Sequence, residues 1–106
     1  SIHLNLSKDT YHLINYKSLL MMKKNALLIN TSRGEIIDEN SLIKALDKKL
    51  IQGAGIDVFE NEPYVGPLLK YDNVCLTPHS GAYAKEIRKK MELEAANNLI
   101  KGLFRQ

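Results

Sequence analysis

The order of apolar segments constrains the fold of this chain more than any other feature. Short apolar runs that are typical of strands alternate with longer segments whose apolar residues recur at helical spacing. Parallel strands need long connections, which are usually helices that cover the sheet. The sequence therefore predicts an α/β fold with a parallel sheet.

Four segments have the composition of strands. Residues 2–6 alternate apolar and polar side chains, whereas residues 26–29 form a continuous apolar run. Such a run is expected for a strand that is buried on both faces. Two further strands are predicted at about residues 53–58 and at residues 74–76, and the first precedes a long segment without periodicity, at residues 59–73. Loops of that length are usually functional or disordered.

Three segments are predicted to be helices. Asn15 is a suitable N-cap for a short helix over residues 16–22. A second helix begins at Asp38 or Ser41 and ends near the lysine pair at residues 48–49. Residues 83–104 form a long helix in which apolar side chains recur every three or four positions.

Composition narrows the class of protein. The chain has 106 residues, of which 44% are hydrophobic and 25% charged, as in ordinary globular domains. Basic and acidic residues are interleaved, so the net charge of +3 is expected to lie on solvated helix faces and not to bind nucleic acid. The sequence contains neither a membrane span nor a secretory signal, and the lone Cys75 suits a reducing cytoplasm. No spacing of His, Cys or Asp predicts a metal site.

Charged side chains follow three of the predicted strands. Arg33 comes shortly after the run at residues 26–29. Asp57 lies at the end of the next strand, and Glu62 follows in the loop after it. His79 comes shortly after the last strand, at residues 74–76. The carboxyl ends of parallel strands lie along one edge, where α/β folds bind ligands. We therefore expect a guanidinium, a cluster of carboxylates and an imidazole to converge at this edge.

These residue types suit the reduction of a 2-oxo acid. An arginine fork can hold a carboxylate in two places, and a histidine backed by a carboxylate can donate a proton near neutrality. Simpler interpretations stay open: Arg33 could form a surface ion pair, His79 could cap a helix, and Asp57 could shape a turn. Glu60 and Glu62 could simply face solvent.

Three motifs give the chain a family resemblance. Residues 30–38 (NTSRGEIID), 53–63 (GAGIDVFENEP) and 73–79 (NVCLTPH) closely resemble the D-isomer-specific 2-hydroxyacid dehydrogenases. That family includes D-lactate, D-3-phosphoglycerate and glyoxylate/hydroxypyruvate enzymes. The motifs occur in the family's order, and the similarity extends from Ile2 to about Leu103. The resemblance implies a partial Rossmann-type three-layer fold, an NAD cofactor and a small 2-hydroxy or 2-oxo acid substrate.

The resemblance also implies a role for each site residue. Arg33 would bind the substrate carboxylate and carbonyl, His79 would be the general acid and base, and Glu62 would be its carboxylate partner. Asp57 would accept a hydrogen bond from the nicotinamide carboxamide. The other residues expected to line the cofactor site are Leu4, Thr31, Ser32, Ser80 and Gly81.

Family members are longer chains, so the resemblance implies an incomplete enzyme. Residues 1–82 correspond to the C-terminal half of an NAD-binding domain, and residues 83–106 to a long helix leading back toward a substrate domain. The glycine-rich pyrophosphate loop and the acidic residue for the adenosine ribose have no counterpart here. We therefore expect this chain alone to be inactive and to associate with the remainder of the enzyme, which would be a homodimer. The sequence does not decide between NAD and NADP.

Two other functions are compatible with a chain of this kind. Some relatives of these dehydrogenases are nucleotide-sensing corepressors that keep the same residues. A receiver-type signalling domain also has an aspartate at a strand end, as Asp57 is here. That class expects an acidic pair after the first strand and a lysine after the last, and this sequence has neither.

Overall fold

A computed structural model, which describes residues 1–104, contains one parallel sheet of three short strands. The strands are β1 (Leu27–Asn30), β2 (Gly53–Ile56) and β3 (Val74–Leu76), and they lie in that order across the sheet. Both pairings, β1 with β2 and β2 with β3, are parallel. All three strands therefore end at one edge, which confirms the predicted α/β class.

The N-terminal segment is the first departure from prediction. Of the strand predicted at residues 2–6, only Ile2 pairs with the sheet, through a parallel bridge to Asn30. The Ile2 N–H donates to the Ile29 carbonyl at 2.9 Å. Downstream, the Thr10 hydroxyl binds the Asn5 carbonyl at 2.7 Å and turns the chain away. Alternation of apolar and polar residues therefore did not show how many of them pair with the sheet.

The short helices begin where the sequence predicts. Helix α1 (Tyr16–Leu20) follows Asn15, whose side chain accepts hydrogen bonds from the backbone of Lys17 and Ser18. It ends two residues earlier than predicted. Helix α2 (Glu39–Asp47) follows Asp38 as its N-cap residue. Ser41, the other predicted start, lies inside that helix and donates a hydrogen bond to the Asp38 carboxylate.

The core lies against one face of β1 and between β2 and the helices. Leu19, Ile36 and Leu42 are almost fully buried in it. Leu27 and Ile29, on the other face of β1, are 58% and 36% exposed, so the prediction that this strand is buried on both faces is wrong for this chain. A continuous apolar run does not reveal whether the same chain supplies a cover for each face. Cys75 on β3 is also exposed.

The rest of the chain extends from the third strand. The predicted loop at residues 59–73 contains a short 3₁₀ helix at Pro67–Lys70. Helix α3 (Lys85–Leu103) starts two residues later than predicted, and none of its residues is buried. At 1.5 Å per residue it is about 28 Å long, half of the 56 Å length of the molecule. No helix in residues 1–104 is long and apolar enough to cross a lipid bilayer.

Candidate active site

Asp57 lies at the carboxyl end of β2, held by groups from the end of β3. Its own N–H donates to the Asn30 carbonyl of β1 at 3.0 Å, and the side chain is 6% exposed. The carboxylate accepts hydrogen bonds from the Thr77 hydroxyl at 2.5 Å and from the N–H groups of Ser80 and Gly81 at 2.8 and 3.0 Å. The ends of three strands are thereby tied together.

These contacts keep the Asp57 carboxylate ionised. Burial raises its pKa, but the hydrogen bonds from Thr77, Ser80 and Gly81 lower it more, and the nearby His79 adds to that effect. The net result is a pKa below the ordinary range of an aspartate. A carboxylate has about four acceptor positions, so three hydrogen bonds leave room for one more donor.

His79 forms a hydrogen-bonded pair with Glu62. The Nδ1 atom of His79 lies 2.9 Å from Oε2 of Glu62, and both side chains are partly exposed, at 50% and 33%. His79 has a positive φ of 54°, a left-handed conformation that histidine adopts more readily than most residues. With Nδ1 held by the carboxylate, Nε2 is the ring atom left to exchange a proton with another molecule.

Glu62 is itself held in place by the backbone. The Phe59 N–H donates to Oε1 of Glu62 at 3.0 Å, while Oε2 contacts His79. The backbone donor is the largest of the effects that lower the pKa of Glu62 below its ordinary value, and the hydrogen bond and charge of His79 add to it. Glu62 is therefore held in its charged form. Glu60, the other carboxylate considered in this segment, contacts His12 instead.

An open groove of about 710 Å³ lies beside the histidine pair. Glu62 and His79 form part of its wall, and apolar side chains form most of the remainder. The aromatic rings among these belong to Phe59 and Tyr64, which stack on each other, and to Tyr83. His79 and Glu62 thus line a concave, mainly apolar surface, which is typical of small-molecule sites.

Arg33 reaches the same edge of the sheet through its loop. Its carbonyl accepts from the buried Asn30 side chain at 2.9 Å, and its Nη1 donates to the Ser32 carbonyl at 2.7 Å. The following residue, Gly34, lies so close to the backbone of Phe59 and Glu60 that a Cβ there would overlap it. The loop of residues 31–34, called the arginine loop here, therefore packs directly on the segment of residues 59–62 that carries Glu62. Arg33 is exposed and does not line the apolar groove.

The residues expected to line a cofactor divide into two groups. Leu4 and Ser32 are joined by a hydrogen bond from the Ser32 hydroxyl to the Leu4 carbonyl at 3.2 Å, and Thr31 is adjacent in sequence. Ser80 and Gly81 bind Asp57 through their backbone. Because Asp57 also bonds to Asn30, both groups lie at the carboxyl ends of neighbouring strands.

Sequence reasoning missed two residues that support this site. Asn30 is fully buried and spans the arginine loop, since it donates to the Arg33 carbonyl and accepts from the Ser32 N–H. Thr77 supplies the shortest hydrogen bond to Asp57. A buried asparagine after an apolar run was a usable signal for Asn30, but the partner of Thr77 depends on strand pairing. No group of His, Cys, Asp and Glu within residues 1–104 is suited to hold a metal ion.

Comparison with protein families decides the class. The sequence model of one protein family, the D-isomer specific 2-hydroxyacid dehydrogenase NAD binding domain, matches residues 1–81. The chain belongs to this family. Its sequence is 54% identical over 101 residues to the glyoxylate reductase of Thermococcus litoralis, covering 94% of this chain and 30% of that protein. The chain thus spans about a third of the length of the curated relatives it matches.

Solved structures agree with this membership and confirm the Rossmann-type fold. A glyoxylate reductase from Paecilomyes thermophila superposes with a TM-score of 0.87 at 40% identity, over 97% of this chain and 32% of that one. A family member from Lactobacillus delbrueckii ssp. bulgaricus in its NAD-complexed form gives 0.79 at 34% identity, over 98% and 37%. One from Xanthobacter autotrophicus Py2 in complex with NADPH and MES gives 0.69 at 42% identity, over 72% and 25%. These matches are to dehydrogenases and do not support the corepressor or receiver alternatives.

Proposed function

We propose that this chain is the catalytic part of the cofactor domain in an oxidoreductase that interconverts a 2-oxo acid and a D-2-hydroxy acid. The observation that carries this proposal is the 2.9 Å contact between His79 and Glu62, at the sheet edge that also holds Asp57 and the arginine loop. The resemblance to the family implies that these residues belong to one reaction centre.

The first step assigned to this chain is substrate binding by Arg33. Arg33 is exposed, and one of the five N–H donors of its guanidinium binds the Ser32 carbonyl. The remaining donors can hold a carboxylate and polarise the adjacent carbonyl oxygen. Relatives are named glyoxylate reductases, so we take glyoxylate, or another small 2-oxo acid, as the substrate.

The second step is proton transfer by His79. Protonated Nε2 donates to the oxygen at C2 as the carbonyl is reduced and takes that proton back when the hydroxy acid is oxidised. Glu62 holds Nδ1, so it fixes the ring orientation and stabilises the charged imidazolium. Because Glu62 has a low pKa, this support persists as the solution becomes acidic.

The residues present fit a nicotinamide dinucleotide. Asp57 has an acceptor position left for the carboxamide, and Leu4 offers an apolar side chain that is 45% exposed beside Thr31 and Ser32. Ser80 and Gly81 complete this edge by fixing Asp57. The cofactor, when bound, supplies or accepts the hydride. We propose NAD, as the family description states, although several solved relatives contain NADPH or NADP.

The place of this chain in a complete enzyme is inferred from the part of its relatives that it matches. We assign residues 1–82 to the C-terminal half of the NAD-binding domain and the segment from residue 83 onward, which contains α3, to the connection that leads toward a substrate domain; residues 105 and 106 lie outside the described residues. The complete enzyme would be a cytoplasmic homodimer. The exposed faces of β1 and α3 support the view that further protein packs against this chain.

A domain replacement tests the proposed function. This chain would replace the matching segment of the Thermococcus litoralis glyoxylate reductase, giving a chimera with a complete substrate domain and pyrophosphate loop. We expect the chimera to oxidise NADH with glyoxylate, and hydroxypyruvate and pyruvate would be compared in the same assay. A folded chimera that binds NADH but reduces none of the three acids would contradict the proposal.

A further inference from the structure

A second histidine–carboxylate pair lies outside the residues assigned above. The Nε2 atom of His12 is 3.7 Å from Oε2 of Glu60, and the two side chains are 33% and 45% exposed. The Nε2 atom itself is shielded from solvent and has no hydrogen-bond partner among residues 1–104. A shielded polar atom is costly to leave alone, so the nearby carboxylate is its natural partner.

The position of His12 is fixed by its backbone and its neighbour. Its φ is 50°, and its N–H donates to the Glu35 carbonyl at 2.8 Å. The ring stacks on Tyr11 with centroids 3.9 Å apart and an angle of 16° between the planes. The imidazole therefore projects from a loop that is anchored to the turn just after Arg33.

Glu60 belongs to the segment that carries Glu62. In this segment the Phe59 N–H holds the Glu62 carboxylate, and the backbone of Phe59 and Glu60 packs against Gly34. The Glu60 side chain reaches His12 from the exposed side of the same segment. His12 is thus connected to both loops of the proposed site, through its backbone to the arginine loop and through its side chain to the glutamate segment.

We propose that His12 is a positioning residue that, by pairing with Glu60, holds the Phe59–Glu62 segment where Glu62 can support His79. This inference rests on the proposed function, because it gives His12 a task in that reaction. Exposed ion pairs contribute little to overall stability. The effect of His12 is therefore expected in the geometry of Glu62 and much less in the stability of the fold.

The first test measures Glu62 directly and requires no cofactor or substrate. NMR titration of the glutamate carboxyl carbons in this chain would compare the unmodified protein with His12→Asn and Glu60→Gln. Asparagine tolerates a positive φ, so the first variant keeps the loop conformation, and the second leaves the His12 backbone intact. If the segment is released, Glu62 loses its close contacts with Phe59 N–H and His79, and its pKa rises toward the ordinary value.

The matched control is Glu92→Gln, which breaks the exposed ion pair with Arg88 on α3. It removes one carboxylate of a surface pair, as Glu60→Gln does, and should leave the titration of Glu62 unchanged. If Glu62 titrates identically in His12→Asn, Glu60→Gln and the control, the positioning role is wrong.

The second test uses the active chimera described above. We expect kcat for glyoxylate reduction to fall about three- to tenfold in either single variant, with KM little changed, because proton transfer is perturbed and substrate binding is not. The double variant should be no slower than the slower single one, since both changes remove one interaction. Additive losses would overturn the pairing. An inactive parent chimera would contradict the proposed function, while the Glu62 titration would still decide the role of His12.

Discussion

Arg33 and Asp57 illustrate two ways in which single charged residues are held at the edge of this sheet. Asp57 is buried and receives three hydrogen bonds from the chain, so its position and charge are both fixed. Arg33 is exposed: its carbonyl is held by the buried Asn30, and its guanidinium bonds only to the carbonyl of the adjacent Ser32 among the contacts described. The guanidinium therefore depends on its own geometry to recognise a ligand.

Arg33→Lys tests that dependence. Lysine keeps the positive charge but lacks the planar fork that grips a carboxylate at two points. In the chimera we expect kcat/KM for glyoxylate to fall roughly ten- to a hundredfold, the loss of one charged hydrogen bond or slightly more. Arg88→Lys, an exposed arginine on α3, is the control. An unchanged kcat/KM in Arg33→Lys would exclude the two-point grip.

Glu62→Gln tests the support that Glu62 gives to His79. The ionised Glu62 carboxylate holds Nδ1 of His79 and fixes the orientation of the ring, and a neutral amide is a weaker acceptor. The expected result is a fall of about tenfold in kcat for glyoxylate reduction by the chimera, with NADH binding unchanged. Glu92→Gln should leave kcat unchanged. An unchanged kcat in Glu62→Gln would show that Glu62 is not the partner.

At the scale of the elements, the positions of the strands around the site could be predicted from the sequence, whereas most contacts between those strands could not. Reading the residues after each strand brought Arg33, Asp57 and His79 to one edge, because parallel strands share their direction. The contact between Thr77 and Asp57 depends on the register of β2 and β3, and local spacing does not determine that register. The pairing of His12 with Glu60 joins two loops far apart in sequence.

The apolar pattern also predicts where a helix or strand forms, but it does not predict which part of the protein packs against it. Helix α3 was predicted within two residues from its apolar spacing, yet no residue of it is buried. The same applies to β1, where Leu27 and Ile29 lie on an exposed face. Periodicity indicates that a face is suited to burial, and whether the covering surface belongs to the same chain is a property of the whole fold.

Gly34→Ala tests the packing of the arginine loop on the glutamate segment. The added methyl group would overlap the backbone of Phe59, and a backbone atom has little freedom to move aside. We expect urea denaturation to show a loss of about 1–3 kcal/mol in the free energy of unfolding. Gly102→Ala is the matched control, because it lies in α3 with nothing within 4 Å. Alanine is the better helix former, so this control should be stabilised. Equal effects in the two variants would contradict the close packing.

At the scale of the whole molecule, exposed apolar side chains are the dominant feature. They occur on the open face of β1, at the end of α1 and along α3, and include Met21 at 83%, Leu27 at 58% and Phe104 at 81% exposure. Surfaces of this kind mark contacts with other protein. They are consistent with a chain that spans 30% of a longer relative.

Sedimentation velocity tests whether these exposed apolar surfaces associate with other protein. We expect the sedimentation coefficient of the isolated chain to increase with concentration, as apolar faces and unpaired strand edges associate. The chimera, in which the remainder of the relative is present, should show no such dependence beyond its own assembly. A single monomeric species of the isolated chain at all concentrations would contradict the expectation.

The central claim is that His79, supported by Glu62, performs the proton transfer of a 2-hydroxyacid dehydrogenase. The most direct measurement is the rate of glyoxylate reduction by the chimera before and after His79→Ala, with NADH binding measured in both proteins. We predict a loss of roughly 10²–10⁴-fold in kcat with NADH affinity retained. A His79→Ala protein that reduces glyoxylate at the parent rate would contradict the claim.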